Sequence, residues 1–158
     1  MKNAIVLYDG VCLFCEGWVN FVIDNLADDC NVKFIPLQEV ELNPDFLSKL
    51  DLDLLEGDSI ICISKEGYVY LKSDASLMVM SMLKAPFSIL SKALFLIPRK
   101  IRNAIYNFIG KRRLKIWGEK NTCTLPSGDR KFFFVNNEMG LKSVFIFDKY
   151  KEYFKFIG

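Results

Sequence analysis

An uninterrupted apolar run at residues 4–8, followed at once by a helical pattern, is the feature that most constrains the fold of this chain. Such a run predicts a strand that is buried on both faces, as in a parallel sheet. Asp9 and Gly10 then break the run with turn chemistry. From residue 13 to about residue 27, polar side chains recur every four residues, at Glu16, Asn20, Asp24 and Asp28. A helix with so narrow a polar stripe is expected to be largely buried against a sheet.

The next segments predict the remainder of a small α/β core. A second strand is expected at residues 32–35, closed by Pro36. Strand, helix and strand then form a right-handed βαβ unit. Asn43-Pro44 has the pattern of a helix N-cap followed by proline, which predicts a short helix to about residue 50.

A hairpin and a further helix follow in the sequence. Strands are predicted at residues 59–64 and 68–72, joined by a tight turn in which Gly67 is free to take a positive φ. Ser73 and Asp74 predict an N-cap for a helix that runs through residue 83. This order of elements is that of a thioredoxin-like fold, so we predict an α/β protein with a four-stranded mixed sheet and flanking helices.

The C-terminal part of the chain adds to this core. Two extra helices are predicted at residues 87–96 and 99–111, each directly after a proline, Pro86 and Pro98. With 158 residues, the chain is expected to hold one core. We assign residues 1–126 to a thioredoxin-like domain that includes the C-terminal helices. Residues 127–158 form an aromatic-rich extension that can pack on the same domain, with a hairpin predicted from strands at residues 131–135 and 143–147.

Composition excludes several classes of function. The chain has no histidine, which excludes Ser-His-Asp triads, Cys-His protease pairs and histidine-ligated metal sites. A formal net charge of +2 is too small to indicate a nucleic-acid partner. The most membrane-like stretch, residues 77–97, is interrupted by Lys84, Pro86 and Lys92, so we expect no transmembrane segment. Peripheral contact with a membrane surface remains open.

Two of the five cysteines are spaced for redox chemistry. Cys12 and Cys15 lie three residues apart, so both fall on the first turn of the predicted helix. Unpaired N–H groups and the helix dipole favour a thiolate at Cys12, which would attack a disulfide. Cys15, one turn further in, is expected to be more buried and to resolve the mixed disulfide. The N-terminus has no signal-peptide pattern, so we expect a reducing cytoplasm, where a paired motif indicates catalysis or metal binding.

The residues next to Cys12 and Cys15 indicate how protons move at the pair and what its reduction potential is. Asp9 either caps the turn or accepts the proton of Cys15 as a general base. Leu13 and Phe14, between the two cysteines, carry no positive charge. We therefore expect a reduction potential nearer about −270 mV than about −120 mV.

The remaining cysteines leave alternatives open. Cys62 lies in an apolar strand and is expected in the core, and Cys30 is expected in a loop. Cys123 is either an incidental loop thiol or a third redox or ligand sulfur, which with Cys12 and Cys15 would form a metal site. Alternatively, the domain is a binding module that uses its basic helices or aromatic tail. The basic cluster that would serve it is Arg99, Lys100, Arg102, Lys111, Arg112, Arg113 and Lys115.

Several ordered motifs resemble one known family. Residues 9–15, with the sequence DGVCLFC, are similar to the D-G-x-C-x-x-C signature of the DCC family (DUF393) of predicted thiol-disulfide oxidoreductases. Residues 36–38, 58–61, 72–75, 97–99, 117–118 and 123–126 are similar to later landmarks of that family.

The resemblance implies a thioredoxin-like fold in which Cys12 and Cys15 form the redox pair. It also implies that Asp9 and Cys123 belong to the site. Ser73 and Asp74 become candidates for substrate binding. We therefore predict a thiol-disulfide oxidoreductase that needs no cofactor or metal and acts on a protein or small-molecule disulfide.

Overall fold

The computed structural model describes residues 2–38, 60–119, 128–134 and 155–156, which build a mixed sheet with helices packed against it. The strands are β1 (Lys2–Tyr8), β2 (Cys30–Pro36), β3 (Ile61–Ser64), β4 (Tyr68–Leu71) and β5 (Lys155–Phe156). The helices are α1 (Leu13–Asn25), α2 (Lys72–Met80), α3 (Phe87–Phe95) and α4 (Arg99–Trp117), with a 3₁₀ helix at Gly128–Phe133.

The sheet has the strand order β2-β1-β3-β4, with the two-residue β5 beside β4. β1 pairs parallel with β2 and antiparallel with β3, and β3 pairs antiparallel with β4. The short β5 runs parallel to β4. The predicted thioredoxin-like arrangement, a four-stranded mixed sheet with flanking helices, is therefore confirmed.

The central strand β1 is buried on both faces, as its apolar run predicts. Val6 and Tyr8 pack in a core cluster with residues of α1 and α2. Ile5 and Leu7, which alternate with them along the strand, are also fully buried. Cys62 pairs with Val6 across the β1–β3 ladder and is inaccessible to solvent, so its predicted place in the core is confirmed.

The turn between β3 and β4 has the conformation that the sequence predicts. Gly67 has a φ of 84°, a value that favours glycine because a side chain would be strained there. Its N–H donates to the Ser64 carbonyl oxygen at 3.0 Å, which closes the hairpin.

The start of α2 differs from the prediction. The helix begins at Lys72, and the capping position before it is Leu71, which has no side chain able to cap. Ser73 and Asp74 therefore lie inside the first turn rather than at the cap. Both side chains instead form hydrogen bonds to α4, which explains why they are not available to the first backbone N–H groups.

The C-terminal helices place one long element beside the core. α4 continues past the predicted end at residue 111 to Trp117, and Gly118 follows it with a φ of 87°. The strand predicted at residues 131–135 is wrong for residues 131–133, which belong to the 3₁₀ helix. The helix predicted near residue 44 and the strand predicted at 143–147 lie outside the described residues. No helix in the described ranges is long and apolar enough to cross a membrane.

Candidate active site

The first turn of α1 carries the two cysteines of the predicted redox pair. Cys12 is the N-cap residue, with an extended backbone, and its Sγ accepts a hydrogen bond from the Cys15 backbone N–H at 3.4 Å. A thiol sulfur thus takes the role that a serine or aspartate oxygen has at most helix starts. Both cysteines are in the free thiol form. The prediction that the pair opens this helix is confirmed.

The expectation that Cys15 is more buried than Cys12 is wrong. Cys12 is 0% exposed and Cys15 is 1% exposed, so neither sulfur faces open solvent. The chain that follows α4 covers Cys12: Glu119 forms an antiparallel bridge with it, and the Leu13 N–H donates to the Gly118 carbonyl oxygen at 3.4 Å. We call residues 117–119 the covering segment.

Ring stacking holds the covering segment at this position. The Trp117 ring packs against the ring of Phe14, which lies between the two cysteines, with centroids 4.7 Å apart. Aromatic pairs in such contact add about 0.5–1.5 kcal/mol beyond the area they bury. The covering segment is therefore bound by both backbone and side-chain contacts.

A cavity lies beside the second cysteine of the pair. It has a volume of about 330 Å³ and lies between α1, α2 and α4. Cys15 lines it, together with apolar side chains from all three helices that include Trp18, Leu77 and Ile105. Cys15 is thus the residue of the pair that borders the cavity, although both cysteines are buried.

A buried arginine joins the pair to Asp9. Arg113, on α4, is only 3% exposed. Its Nη1 lies 3.2 Å from the Cys15 Sγ, and its Nη2 lies 3.0 Å from Asp9 Oδ2. A single guanidinium group therefore contacts both a carboxylate and the sulfur of the second cysteine.

Asp9 is held in place by its own hydrogen bonds. Its Oδ1 accepts from the Val11 N–H at 3.2 Å, which is the predicted turn cap, and from Gln38 Nε2 at 3.1 Å. Gln38 Oε1 in turn accepts from the Gly10 N–H at 3.0 Å. The carboxylate thus caps the turn and pairs with Arg113 at the same time.

Ser73 and Asp74 lie on the α2 side of the cavity. The Ser73 hydroxyl donates to Asn103 Oδ1 at 2.5 Å, and Ser73 also lines the cavity. Asp74 Oδ1 accepts from Arg102 at 2.5 Å, and its Oδ2 lies 2.7 Å from Arg99 Nε. Because Arg102 also lines the cavity, the ion pair of Asp74 joins two of its walls.

Comparison with known proteins identifies the family. A family model described as DCC1-like thiol-disulfide oxidoreductase matches residues 6–119, a range that includes both cysteines, Asp9 and Arg113. The chain belongs to this DCC1-like family.

Two relatives extend the match. The chain is 37% identical over 135 residues to the uncharacterized protein YuxK of Bacillus subtilis strain 168, which covers 85% of this chain and 96% of that protein. It is 29% identical over 124 residues to the chloroplastic DCC family protein At1g52590 of Arabidopsis thaliana, which covers 78% of this chain and 70% of that one. No solved structure gives a significant match.

Arg113 is the site residue that sequence reasoning missed. The sequence groups it with six other basic residues as a candidate binding surface, yet it is buried and contacts Cys15. Although Leu13 and Phe14 carry no charge, a cation from a distant helix therefore lies beside the pair. Its signal in the sequence was weak, because one arginine in a basic helix looks like its neighbours.

The third cysteine proposed for the site is not placed by the structure. Cys123 lies outside the described residues, so its distance from Cys12 and Cys15 stays a prediction. Among the described residues, no group of three or more histidine, cysteine, aspartate or glutamate side chains could hold a metal ion.

Burial sets the protonation of Cys15. Desolvation raises the pKa of its thiol well above the usual range, and the hydrogen bond with Cys12 raises it further. The Arg113 guanidinium opposes this by lowering the same pKa. Cys15 is therefore a neutral thiol near pH 7 in the reduced protein, with a cation positioned to stabilise it if its proton leaves.

Alkaline pH is expected to destabilise the fold through its buried thiols. Burial raises the pKa of Cys62, as it does that of Cys15, above the ordinary value of 9.0. Below pH 9 the thiols are protonated in both the folded and the unfolded chain, so their titration costs the fold no stability. Above it only the unfolded thiol ionises, so each such thiol lowers the free energy of unfolding by about 1.4 kcal/mol per pH unit.

Comparison with Cys62→Ala isolates this effect from other titrations. The stability advantage of the natural chain over Cys62→Ala should shrink as pH rises from 9 to 10.5, measured by urea unfolding. A difference that stays constant over this range would show that Cys62 ionises as readily in the folded protein as in the unfolded chain.

Replacing Asp74 with asparagine is expected to lower the free energy of unfolding by about 3 kcal/mol, because two arginines would lose a largely buried counter-charge. The matched control is Asp24→Asn, whose ion pair with Arg130 lies on the surface. That change should cost about 1 kcal/mol or less. Equal losses in thermal or urea unfolding would contradict a special role for the Asp74 pair.

Proposed function

We propose that this DCC-family protein is a thiol-disulfide oxidoreductase whose Cys12–Cys15 pair cycles between dithiol and disulfide. The observation that carries the proposal is the position of both cysteines on one helical turn, with the Cys12 sulfur at the N-cap and 3.4 Å from the Cys15 nitrogen. Two sulfurs on one turn can bond when oxidised and act in sequence when reduced.

The two sulfurs have different environments, which supports different roles. Cys12 lies at the positive end of the α1 dipole, where a thiolate is stabilised. Cys15 carries a raised pKa and lies beside Arg113. We therefore propose different roles for the two sulfurs, with Cys15 giving up its proton only during exchange.

Asp9 contributes to this site through Arg113. Its carboxylate accepts hydrogen bonds from Val11 and Gln38 and pairs with the guanidinium at 3.0 Å. A carboxylate so engaged holds the cation beside the Cys15 sulfur. We propose Asp9 as a positioning residue, in place of the general base that the sequence indicates.

A stoichiometric exchange reaction tests the proposed function. The reduced protein is mixed with excess hydroxyethyl disulfide, a small neutral substrate, and its free thiols are counted by mass spectrometry. Each chain should lose two thiols by forming an internal disulfide, and release two molecules of mercaptoethanol. An unreacted protein, or one that retains a single bound mercaptoethanol per chain without an internal disulfide, would contradict the proposal.

One observation favours binding as a second function. Large apolar side chains are exposed on α3, with Ile89 63% and Leu90 48% accessible. Such a surface is typical of an interaction site. A partner that binds Cys12→Ser but no longer binds a variant with serine at positions 89 and 90 would support this function. A partner lost from both variants would show that binding needs the thiols.

A further inference from the structure

Only one residue of the cysteine pair lines the cavity. Among the described residues that line it, Cys15 is the member of the pair that faces this space. Cys12 is fully buried, with Glu119 bridged to its backbone and Gly118 bonded to the next residue. A molecule bound in the cavity would therefore meet the sulfur of Cys15 first.

The walls of the cavity define what it can hold. Apolar side chains from α1, α2 and the α4 region dominate them, among them Trp18, Leu77 and Ile105. Both arginines of the wall are already paired, Arg102 with Asp74 and Arg113 with Asp9. A volume of about 330 Å³ is at the lower end for small-molecule sites, and it is too small for a folded protein. The cavity thus suits a small, neutral and apolar molecule.

Exchange chemistry favours Cys12 as the leaving group. When a thiolate attacks a disulfide, the reaction is faster if the departing sulfur is the one whose negative charge is better stabilised. Cys12 is held at the helix N-terminus and accepts the Cys15 N–H. Arg113 contacts the Cys15 sulfur, but burial and the hydrogen bond with Cys12 outweigh it and disfavour the charged form of Cys15. Access and electrostatics therefore both indicate attack at Cys15 with departure of Cys12.

We propose that the cavity binds a small apolar thiol, which attacks the Cys15 sulfur of the oxidised pair and forms its mixed disulfide there. This rests on the proposed function, since it requires the Cys12–Cys15 disulfide. It reverses the assignment expected from sequence, in which the mixed disulfide forms on Cys12.

The steps balance in atoms and electrons. The thiol loses its proton to solvent and its sulfur bonds to Cys15 Sγ, while the Cys12–Cys15 bond breaks and Cys12 keeps the electron pair. A second thiolate then attacks the sulfur of the bound molecule. It releases a small disulfide, and Cys15 takes up a proton. Two thiols are oxidised, and the protein disulfide is reduced to the dithiol.

Mapping the intermediate tests the proposal on the natural full-length chain. The oxidised protein is treated with benzyl mercaptan, quenched in acid to stop exchange, and fragmented in a mass spectrometer. The benzylthio group should lie on Cys15. Finding it on Cys12 would overturn the proposal.

The rate should also depend on the polarity of the thiol. Benzyl mercaptan should react about tenfold faster than 2-mercaptoethanesulfonate, an anion that the apolar walls disfavour. Equal rates, or a faster reaction of the sulfonate, would contradict a cavity site.

Two glycines provide a matched pair of variants. A side chain at either Gly110 or Gly17 would meet no atom within 4 Å at its Cβ, and both lie in helices. Gly110 lines the cavity, whereas Gly17 is not among its lining residues. Gly110→Leu should slow the reaction with benzyl mercaptan by about tenfold, and Gly17→Leu should leave it unchanged. Unchanged rates in both variants would contradict the proposal.

Dithiothreitol separates this proposal from the proposed function. If no Cys12–Cys15 disulfide forms, or dithiothreitol fails to reduce it, the proposed function fails. If dithiothreitol reduces it normally while the benzylthio group appears on Cys12, only the cavity assignment fails. The helical signal in far-UV circular dichroism checks that both leucine variants are folded. Mapping of the mixed disulfide uses the natural sequence and so does not depend on any variant.

Discussion

Replacing Arg113 with methionine is expected to lower the free energy of unfolding by about 3–5 kcal/mol, the cost of leaving a buried partner charge uncompensated. The partner is Asp9, whose Oδ2 lies 3.0 Å from the guanidinium, and both side chains are almost fully buried. Methionine keeps much of the length and apolar bulk of arginine, so the loss reports the charge rather than a large cavity. Urea unfolding monitored by circular dichroism measures it.

The neighbouring Arg112 provides the control for this prediction. Its guanidinium lies 3.8 Å from the centroid of the exposed Phe108 ring, a contact worth about 0.5–1 kcal/mol at a surface. Arg112→Met should therefore cost no more than this. The double variant Asp9→Asn/Arg113→Met should lose less stability than the two single variants lose together. The difference should be at least about 1 kcal/mol, because the double variant leaves no unpaired carboxylate.

Arg113→Met should also change the chemistry of Cys15. Arg113 lowers the pKa of that thiol, so its removal leaves burial unopposed and shifts thiolate formation to still higher pH. Alkylation of Cys15 by iodoacetamide between pH 8 and 10 should become slower, followed by mass spectrometry. Loss of stability with unchanged alkylation would show that Arg113 is only structural.

Replacing either cysteine of the pair is expected to abolish turnover, to below about 1% of the natural rate, because exchange needs two sulfurs in sequence. Cys12→Ser should remain folded, since serine is a favourable N-cap and can accept the Cys15 N–H as sulfur does. Cys15→Ala removes the sulfur that lines the cavity. Reduction of hydroxyethyl disulfide with dithiothreitol as the electron donor measures the rate.

Cys30→Ser is the control for the cysteine variants. Cys30 is a half-buried cysteine at the start of β2, away from the first turn of α1. Its replacement should leave turnover within about twofold of the natural rate. Turnover that survives in Cys12→Ser or Cys15→Ala would assign the reaction to a different sulfur.

The core of the fold was predictable because its signals are local. The apolar run of β1, the narrow polar stripe of α1 and the glycine of the β3–β4 turn each specify one element. Once these are set, right-handed connections and short turns leave few arrangements of the sheet. The predictions were wrong where a tertiary contact overrides a local preference. Ser73 and Asp74 are an example, because their side chains bind α4 instead of capping α2.

The site was predictable only in part, for the same reason. The spacing of Cys12 and Cys15 and the turn at Asp9 are local features, and the structure brings these residues together as the motif indicates. Arg113 contacts Cys15 from 98 positions further along the chain. No local pattern distinguishes it from Arg112, which is exposed, so only the packing of α4 against α1 reveals it.

The burial of Cys12 was beyond prediction as well. It arises from the covering segment, where the positive φ of Gly118 turns the chain at the end of α4 and back towards Cys12. The sequence showed a helix ending near residue 111 and so gave no reason to place residue 119 on the first turn of α1. Most α4 residues that line the cavity lie within the predicted helix, so the cavity depends on how α4 packs against α1 and α2 rather than on where the helix ends.

A redox titration of the full-length protein, with mass mapping of every cysteine at each potential, tests most directly whether Cys12 and Cys15 are one redox couple. We expect a single two-electron transition in which these two thiols disappear together as a Cys12–Cys15 disulfide, while Cys30 and Cys62 stay reduced. A titration in which Cys12 and Cys15 remain thiols throughout, or pair with other cysteines instead of each other, would contradict the assignment.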